Sequence, residues 1–210
     1  MINIVYTILL FNILIIVFKM FKKYKVDNLQ GLIVNYLTAA ICSYFFLKQD
    51  FSVDYILQSD WIYHAIIIGT LFIIVFNFYA FGTQKIGISV TTVANKMSLI
   101  IPVCAALILY PEKESFTILK GIAFFLALVG IYLSTTKSGK LRFNKKYIWL
   151  IILVFVGQGI SDAIFNDFAQ SFKEILEEES YLFFMTLFFF ASISGIIIFS
   201  GKTIVSKSPL

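Results

Sequence analysis

Long apolar runs are the feature that most limits what this chain can fold into. Stretches of about 20 residues, the length that crosses ~30 Å of hydrocarbon as a helix, alternate with short charged segments. Only 14% of the residues are charged, whereas a soluble domain has about 25%. The runs lack the alternating pattern of barrel strands, and a helix satisfies its own backbone hydrogen bonds in lipid. We therefore predict an all-α polytopic membrane protein embedded in a lipid bilayer.

Seven runs meet this description. The predicted transmembrane helices cover residues 2–18, 31–47, 62–82, 88–110, 117–136, 147–169 and 181–200. The first run has the length of a signal-peptide core, but Met1 and Ile2 supply no basic segment before it. We interpret it as a helix.

The charges between the runs predict an orientation. The odd-numbered loops and the C-terminal tail carry twelve lysines and arginines, whereas the even-numbered loops carry four, together with nine acidic residues. The positive-inside rule then places the N-terminus outside and the C-terminus in the cytoplasm. Because the basic residues lie at helix ends, no nucleic-acid partner is expected.

The order of the helices indicates a repeat. A basic segment at residues 137–146 separates five predicted helices from two more. The order of apolar, polar and aromatic residues in these two helices is weakly similar to that of residues 2–47. A five-helix unit is odd in number, so a second copy enters the membrane inverted, as in many secondary transporters. We predict one complete repeat at residues 1–136, a cytoplasmic linker at 137–146, and two helices of a second, inverted repeat at 147–210.

Residues 84–134 carry a recognisable pattern. The segment QKIGISVTTVANKMSLIIPVCAALILYPEKESFTILKGIAFFLALVGIYLS has a hydroxylated helix start, a mid-helix Pro102, Glu112 at the helix exit, and Gly121 and Gly130 in the next helix. This resembles the drug/metabolite transporters with EamA-type repeats. The resemblance implies paired five-helix repeats in the bacterial inner membrane and transport of amino acids, metabolites, drugs or nucleotide sugars. Because this chain ends three helices short of ten, we expect a truncated member.

Two charged residues fall inside predicted spans. An ionisable group near the bilayer centre costs at least ~2.5–3.5 kcal/mol, so Lys96 and Asp162 should face a cavity or a partner. Our hypothesis is an ion pair between the fourth and sixth helices. The alternative is that Asp162 approaches the outer surface with Asn166 and Asp167, while Lys96 pairs locally.

Uncharged polar residues extend the candidate pathway. Together with Lys96 and Asp162, we assign to a substrate pathway the side chains of Asn77, Gln84, Asn95 and Ser98. Ordinary interhelical hydrogen bonding is the alternative for all four. Pro102, six residues after Lys96, predicts a helix kink, because proline removes a backbone donor.

The single histidine has two interpretations. His64 lies beside Trp61 and Tyr63, which is typical of an aromatic belt at the membrane surface. A role in proton coupling is the alternative.

Small residues recur along the fifth predicted helix at helical spacing. They are Ala123, Ala127, Gly130 and Ser134. This stripe predicts close packing against another helix, including one from a homodimer partner.

The sequence contains few residues that could form a catalytic site. An enzyme needs a nucleophile with a base, a metal cluster or a cofactor loop, yet there is one histidine and no HExxH, GxSxG or P-loop motif. Cys42 and Cys104 lack metal-site spacing. We predict no catalytic residue, metal or cofactor, and instead a secondary transporter of a small organic solute working by alternating access. A seven-helix membrane sensor or a non-transporting assembly subunit is the alternative.

Overall fold

The computed structural model describes residues 2–47, 52–111, 117–135 and 145–207. Within these residues every regular element is helical. The α-helices are α1 (Ile2–Lys23), α2 (Asn28–Phe45), α3 (Val53–Gln58), α4 (Ile62–Lys85), α5 (Ile88–Met97), α6 (Ile100–Leu109), α7 (Ile118–Thr135), α8 (Ile148–Ser171), α9 (Lys173–Glu178) and α10 (Ser180–Lys207). A short 3₁₀ turn at Lys145–Tyr147 precedes α8.

Five helical segments of the described chain are long and apolar enough to cross a membrane. They are Val5–Lys23, Ile62–Lys85, Ile88–Leu109, Ile148–Ser171 and Ser180–Gly201. They coincide with five of the seven predicted spans. The other two predictions fall on α2 and α7, each of 18 residues. The polar residues Asn28, Gln30 and Asn35 lower the mean hydropathy of α2.

Large apolar side chains cover the outside of the bundle. Leu10 on α1 is 66% exposed and Ile197 on α10 is 65% exposed, whereas Ala65 and Ile68 on α4 are fully buried. Water would penalise an apolar surface of this extent, but lipid does not. The distribution of apolar side chains therefore agrees with the hydropathy of the helices.

Helices α4 and α10 form the centre of the packing. Helix α10 lies against α2 and α4, and α4 also packs on α8. A Cβ atom added to Gly69 would lie 2.4 Å from the carbonyl oxygen of Leu187, so the α4 and α10 backbones meet directly. The hydroxyls of Thr70 and Ser194 form a hydrogen bond of 2.9 Å across the same interface. Close backbone approach and polar contacts are the usual means of helix association in lipid.

Opposite charges collect at the two ends of the bundle. At one end, Asp27 caps α2 by accepting hydrogen bonds from the backbone of Leu29 and Gln30. We call this the basic end, and its described residues include Lys22, Lys23, Lys25 and Lys85. At the opposite, acidic end, the Tyr55 hydroxyl donates to Glu179 at 2.9 Å. The described acidic residues there include Asp54, Asp60, Glu174, Glu177, Glu178 and Glu179.

The predicted helix at residues 88–110 is two helices, α5 and α6, separated by Ser98 and Leu99. Pro102 is the third residue of α6 and has no N–H to donate to the carbonyl of Ser98. That carbonyl instead accepts from Ile101 at 2.9 Å, one residue short of the α-helical register. The interruption therefore lies in the turn that precedes Pro102.

Several predictions fall on residues that the structure leaves undescribed. Glu112 and residues 136–144, which form most of the predicted linker, lie outside the described chain. The side chains of Ala127, Gly130 and Ser134 in the small-residue stripe also lie outside it, whereas Ala123 is exposed on α7.

Candidate functional site

Lys96 lies on α5, half-buried and directed towards α1. Its ammonium nitrogen is 4.0 Å from the centre of the Phe11 ring. A cation over an aromatic face is worth about 0.5–2 kcal/mol, depending on how far it is desolvated. This contact offsets part of the cost of holding the charge within a membrane-spanning segment.

Asp162 lies on α8, the helix that packs against α5 and α6. Its carboxylate accepts a hydrogen bond of 2.8 Å from Gln158, one turn earlier. Lys96 and Asp162 attract each other electrostatically. The structure records no direct contact between the Lys96 ammonium and the Asp162 carboxylate, whose recorded partners are the Phe11 ring and Gln158. An ion pair between these helices stays a prediction.

The polar neighbours of Lys96 on its own helix are buried. Asn95 is 8% exposed, and Ser98 is fully buried and donates its hydroxyl to the Asn95 carbonyl. That hydrogen bond holds the end of α5 just before the interruption. Asn95 and Ser98 are thus placed beside Lys96, at the point where the helix is broken.

Asn77 and Gln84, both on α4, differ in how they are bound. The Oδ1 atom of Asn77 is buried and has no hydrogen-bond partner in the described structure. In contrast, Gln84 donates from Nε2 to the Phe18 carbonyl at 2.9 Å and to Asn28 Oδ1 at 2.7 Å. Gln84 therefore joins α4 to α1 and α2 at the basic end, whereas Asn77 keeps an unused acceptor.

Phe11 and Gln158 are site residues that sequence reasoning missed. Phe11 lies against the ring of Tyr79 as well as against Lys96, and the Tyr79 hydroxyl is 3.1 Å from that of Thr92 on α5. Nothing in the sequence distinguishes Phe11 from the 23 other phenylalanines. Gln158 could have been predicted from the sequence, because its spacing of four residues from Asp162 places both side chains on one helix face.

A second polar cluster, which the sequence did not predict, lies at the acidic end and consists of His64, Asp167 and Tyr110. His64 Nε2 is 3.0 Å from Asp167 Oδ2, and the Tyr110 hydroxyl donates to Asp167 Oδ1. The three residues come from the start of α4, the last turns of α8 and the position directly after α6. The predicted neighbours of His64 differ: Trp61 is buried against Phe183, and Tyr63 is 70% exposed.

A cavity of about 560 Å³ opens beside this second cluster. Ser171 and Phe172 line it, and the Ser171 hydroxyl is 3.4 Å from the Tyr110 hydroxyl. Tyr55 also lines it, and its pKa is raised by desolvation and by the hydrogen bond to Glu179. We call this the acidic-end cavity.

Comparison with known proteins finds similarity at the level of sequence. No family model matches the chain. No solved structure matches it either. An uncharacterized protein of Haemophilus influenzae is 31% identical over 175 residues, an alignment that covers 80% of this chain. The chain matches 60% of that protein's length.

Proposed function

We propose that this chain is part of a secondary transporter that moves a small organic solute across the bacterial inner membrane by alternating access. The observation that carries the proposal is the arrangement of Lys96 and Asp162. They are opposite charges on neighbouring membrane-crossing helices, and the structure records no direct contact between them.

Charges kept apart within a membrane protein have an energetic cost that direct pairing would reduce. A solute that carries a complementary polar or charged group would complete the coordination of Lys96. The unused acceptor of Asn77 on α4 and the buried Asn95 on α5 supply further polar groups. Functional sites in transporters use polar residues of this kind.

The interruption between α5 and α6 supports the alternating-access part of the proposal. Broken helices beside the binding site are a recurrent device in secondary transporters. Here Lys96 lies in the last turn before the break, and Gly159 of α8 lies tightly against Ile101 just after it. A change of angle at Ser98 and Leu99 would move α6 relative to Lys96.

The finer architecture belongs to the same proposal. It comprises seven transmembrane helices, a first repeat at residues 1–136, a partial inverted repeat at 147–210 and an external N-terminus. The separation of basic and acidic ends supports that orientation. The EamA-type resemblance and a homodimer formed through α7 are likewise proposals.

The test is a metabolite export and uptake screen of bacterial cells that produce the protein, followed by substitution of Lys96. We expect Lys96→Met to reduce transport of the identified solute by about tenfold or more, because ~1.4 kcal/mol of lost binding corresponds to a factor of ten. Immunoblots of the membrane fraction should show unchanged abundance.

Lys85→Met is the matched control, because Lys85 is an exposed lysine in the last turn of α4. It should transport normally. Normal transport by the Lys96→Met protein would remove Lys96 from the solute pathway.

A further inference from the structure

An apolar groove lies on the outside of the bundle, between α2, α3 and α10. Its volume of about 410 Å³ is within the ~300–1,000 Å³ that is usual for small-molecule sites. Ala40 and Ile56 are its buried residues, whereas Leu37, Leu57 and Phe189 are 45%, 59% and 50% exposed. The groove therefore has a buried floor and a rim that is open to the surroundings of the bundle.

The lining of the groove offers little to a polar ligand. The side chains that line it are apolar except for those of Tyr44 and Thr186. The Thr186 hydroxyl is buried and donates to the Leu182 carbonyl of its own helix at 2.9 Å. Because a polar group without a partner is costly in such a place, the groove favours a hydrocarbon chain.

The groove has the depth of one bilayer leaflet. Its α10 residues lie between Met185 and Phe190, five to ten residues after the start of the helix at Ser180. At 1.5 Å per residue, they are about 7–15 Å from the acidic end. One half of the hydrocarbon core is ~15 Å thick. The groove is thus in contact with the leaflet next to the acidic end, where acyl chains are the surrounding medium.

Helix α3 has this groove on one side and the acidic-end cavity on the other. Val53, Ile56 and Leu57 have the spacing of one helix face and line the groove. Tyr55 and Gln58 line the cavity instead. A helix that is apolar on one side and polar on the other is suited to the boundary between hydrocarbon and water. A lipid whose chain lies in the groove would therefore have its headgroup near α3.

The charges near α3 favour one kind of headgroup. Asp54 is exposed on α3, and Glu179 accepts a hydrogen bond from Tyr55 of the same helix. Lys173, a basic residue at this end of the bundle, is already 3.5 Å from Glu177. A surface of this charge attracts an ammonium group and repels an anionic headgroup.

We propose that the groove between α2, α3 and α10 binds one acyl chain of a zwitterionic phospholipid, with the ammonium of its headgroup beside Asp54. Lipid tails are as apolar as the groove, so hydrophobicity alone gives no preference for a bound chain over bulk lipid. Selectivity then comes from the fit of the chain and from the headgroup. The site goes beyond solute transport and does not rest on it.

Retention of lipid by the purified full chain tests the headgroup. Detergent-solubilised protein is mixed with equal amounts of phosphatidylethanolamine and phosphatidylglycerol that carry identical chains, and bound lipid is identified by native mass spectrometry. We expect phosphatidylethanolamine to be retained about fivefold or more over phosphatidylglycerol, because only the latter is anionic. Equal retention, or a preference for phosphatidylglycerol, contradicts the proposal.

Filling the groove tests its location. Ala40→Phe places a large side chain in the floor, and Leu37→Trp fills the groove from the exposed rim without altering the floor. Both should lose the retained lipid and still elute from size-exclusion chromatography as the unmodified protein does. Ala123→Phe is the matched control, because Ala123 is exposed on α7, and should retain the lipid. Retention by both groove variants equal to that of the control would overturn the site.

Charge reversal tests the position of the headgroup. Asp54→Lys should bring the preference for phosphatidylethanolamine close to one. Glu177→Lys makes the same change of charge on α9, away from the residues that line the groove, and should keep most of the preference. Equal losses in the two variants would show attraction by the acidic end as a whole and would remove the headgroup from α3.

A photoreactive chain separates a bound lipid from a second copy of the protein. In proteoliposomes, phosphatidylethanolamine with a diazirine in the middle of one chain should form adducts with groove residues of α2 and α10, including Leu37 and Phe189. If a second copy covers the groove instead, Leu57→Cys in a Cys42→Ala, Cys104→Ala protein should form disulfide-linked dimers on oxidation. Such dimers, together with adducts that lie only outside the groove, would overturn the proposal.

Discussion

At the scale of single residues, the α4 side chains Gln84 and Asn77 differ in their hydrogen bonds. Gln84 Nε2 donates to two acceptors, one on α1 and one on α2, and its removal leaves both without that donor. Asn77 Oδ1 has no partner to lose. Removing the Gln84 amide should therefore reduce stability, whereas removing the Asn77 amide should not.

We expect Gln84→Leu to lower the free energy of unfolding by roughly 1–3 kcal/mol, because the Oδ1 atom of the buried Asn28 would lose its donor and bear a desolvation cost. Asn77→Leu should leave stability nearly unchanged and should reduce transport of the solute that the screen identifies. Unfolding in detergent and transport in cells measure the two effects. An Asn77→Leu protein with full transport would assign Asn77 to packing.

The sequence could identify the charged residues of the site but not the neighbours that other helices supply. Lys96 and Asp162 are conspicuous because the surrounding residues are uncharged. The contact of Lys96 with Phe11 depends on the rotation and tilt of α1 and α5, which a span of apolar residues does not specify. For the same reason Asp167 was interpreted only as a residue near the membrane surface, although it bonds to His64 and Tyr110.

At the scale of helices, glycine positions decide how closely the backbones approach. Gly69 faces the α10 backbone, where a Cβ atom would lie 2.4 Å from the Leu187 oxygen and no side-chain rotation could relieve it. Gly201, on the same α10 helix, has open space around it. The two positions form a natural pair for comparison.

We expect Gly69→Ala to destabilise the bundle by roughly 1–3 kcal/mol, the usual cost of overpacking, and Gly201→Ala to be close to neutral. Thermal unfolding of the purified protein in detergent checks both. Equal effects at the two positions would contradict the close α4–α10 contact.

The positions of the helices could be predicted from the sequence more accurately than the position of the break between α5 and α6. The apolar run at residues 88–110 predicted one helix with a kink at Pro102. The break occurs at Ser98 and Leu99 because proline disturbs the turn before it, where its missing N–H would have bonded. The burial of Ser98 and its bond to Asn95 then stabilise the interrupted form.

At the scale of the whole molecule, the account depends on a hydrophilic path through an apolar bundle. The outer surface carries exposed leucine, isoleucine and phenylalanine, whereas Lys96, Asp162 and Asn95 lie on helices that pack against one another. Hydropathy alone could predict that the chain enters the membrane. It could not predict which helix the Lys96 side chain would contact.

Water access to position 96 tests the central claim most directly. In the Cys42→Ala, Cys104→Ala protein, Lys96→Cys should react with a small hydrophilic thiol reagent, because water must reach a solute pathway. Leu10→Cys is the control, because Leu10 is 66% exposed on α1, next to the Phe11 that contacts Lys96, and should face lipid. Labelling at position 96 with none at position 10 is the predicted result; equal protection of both cysteines would contradict the pathway.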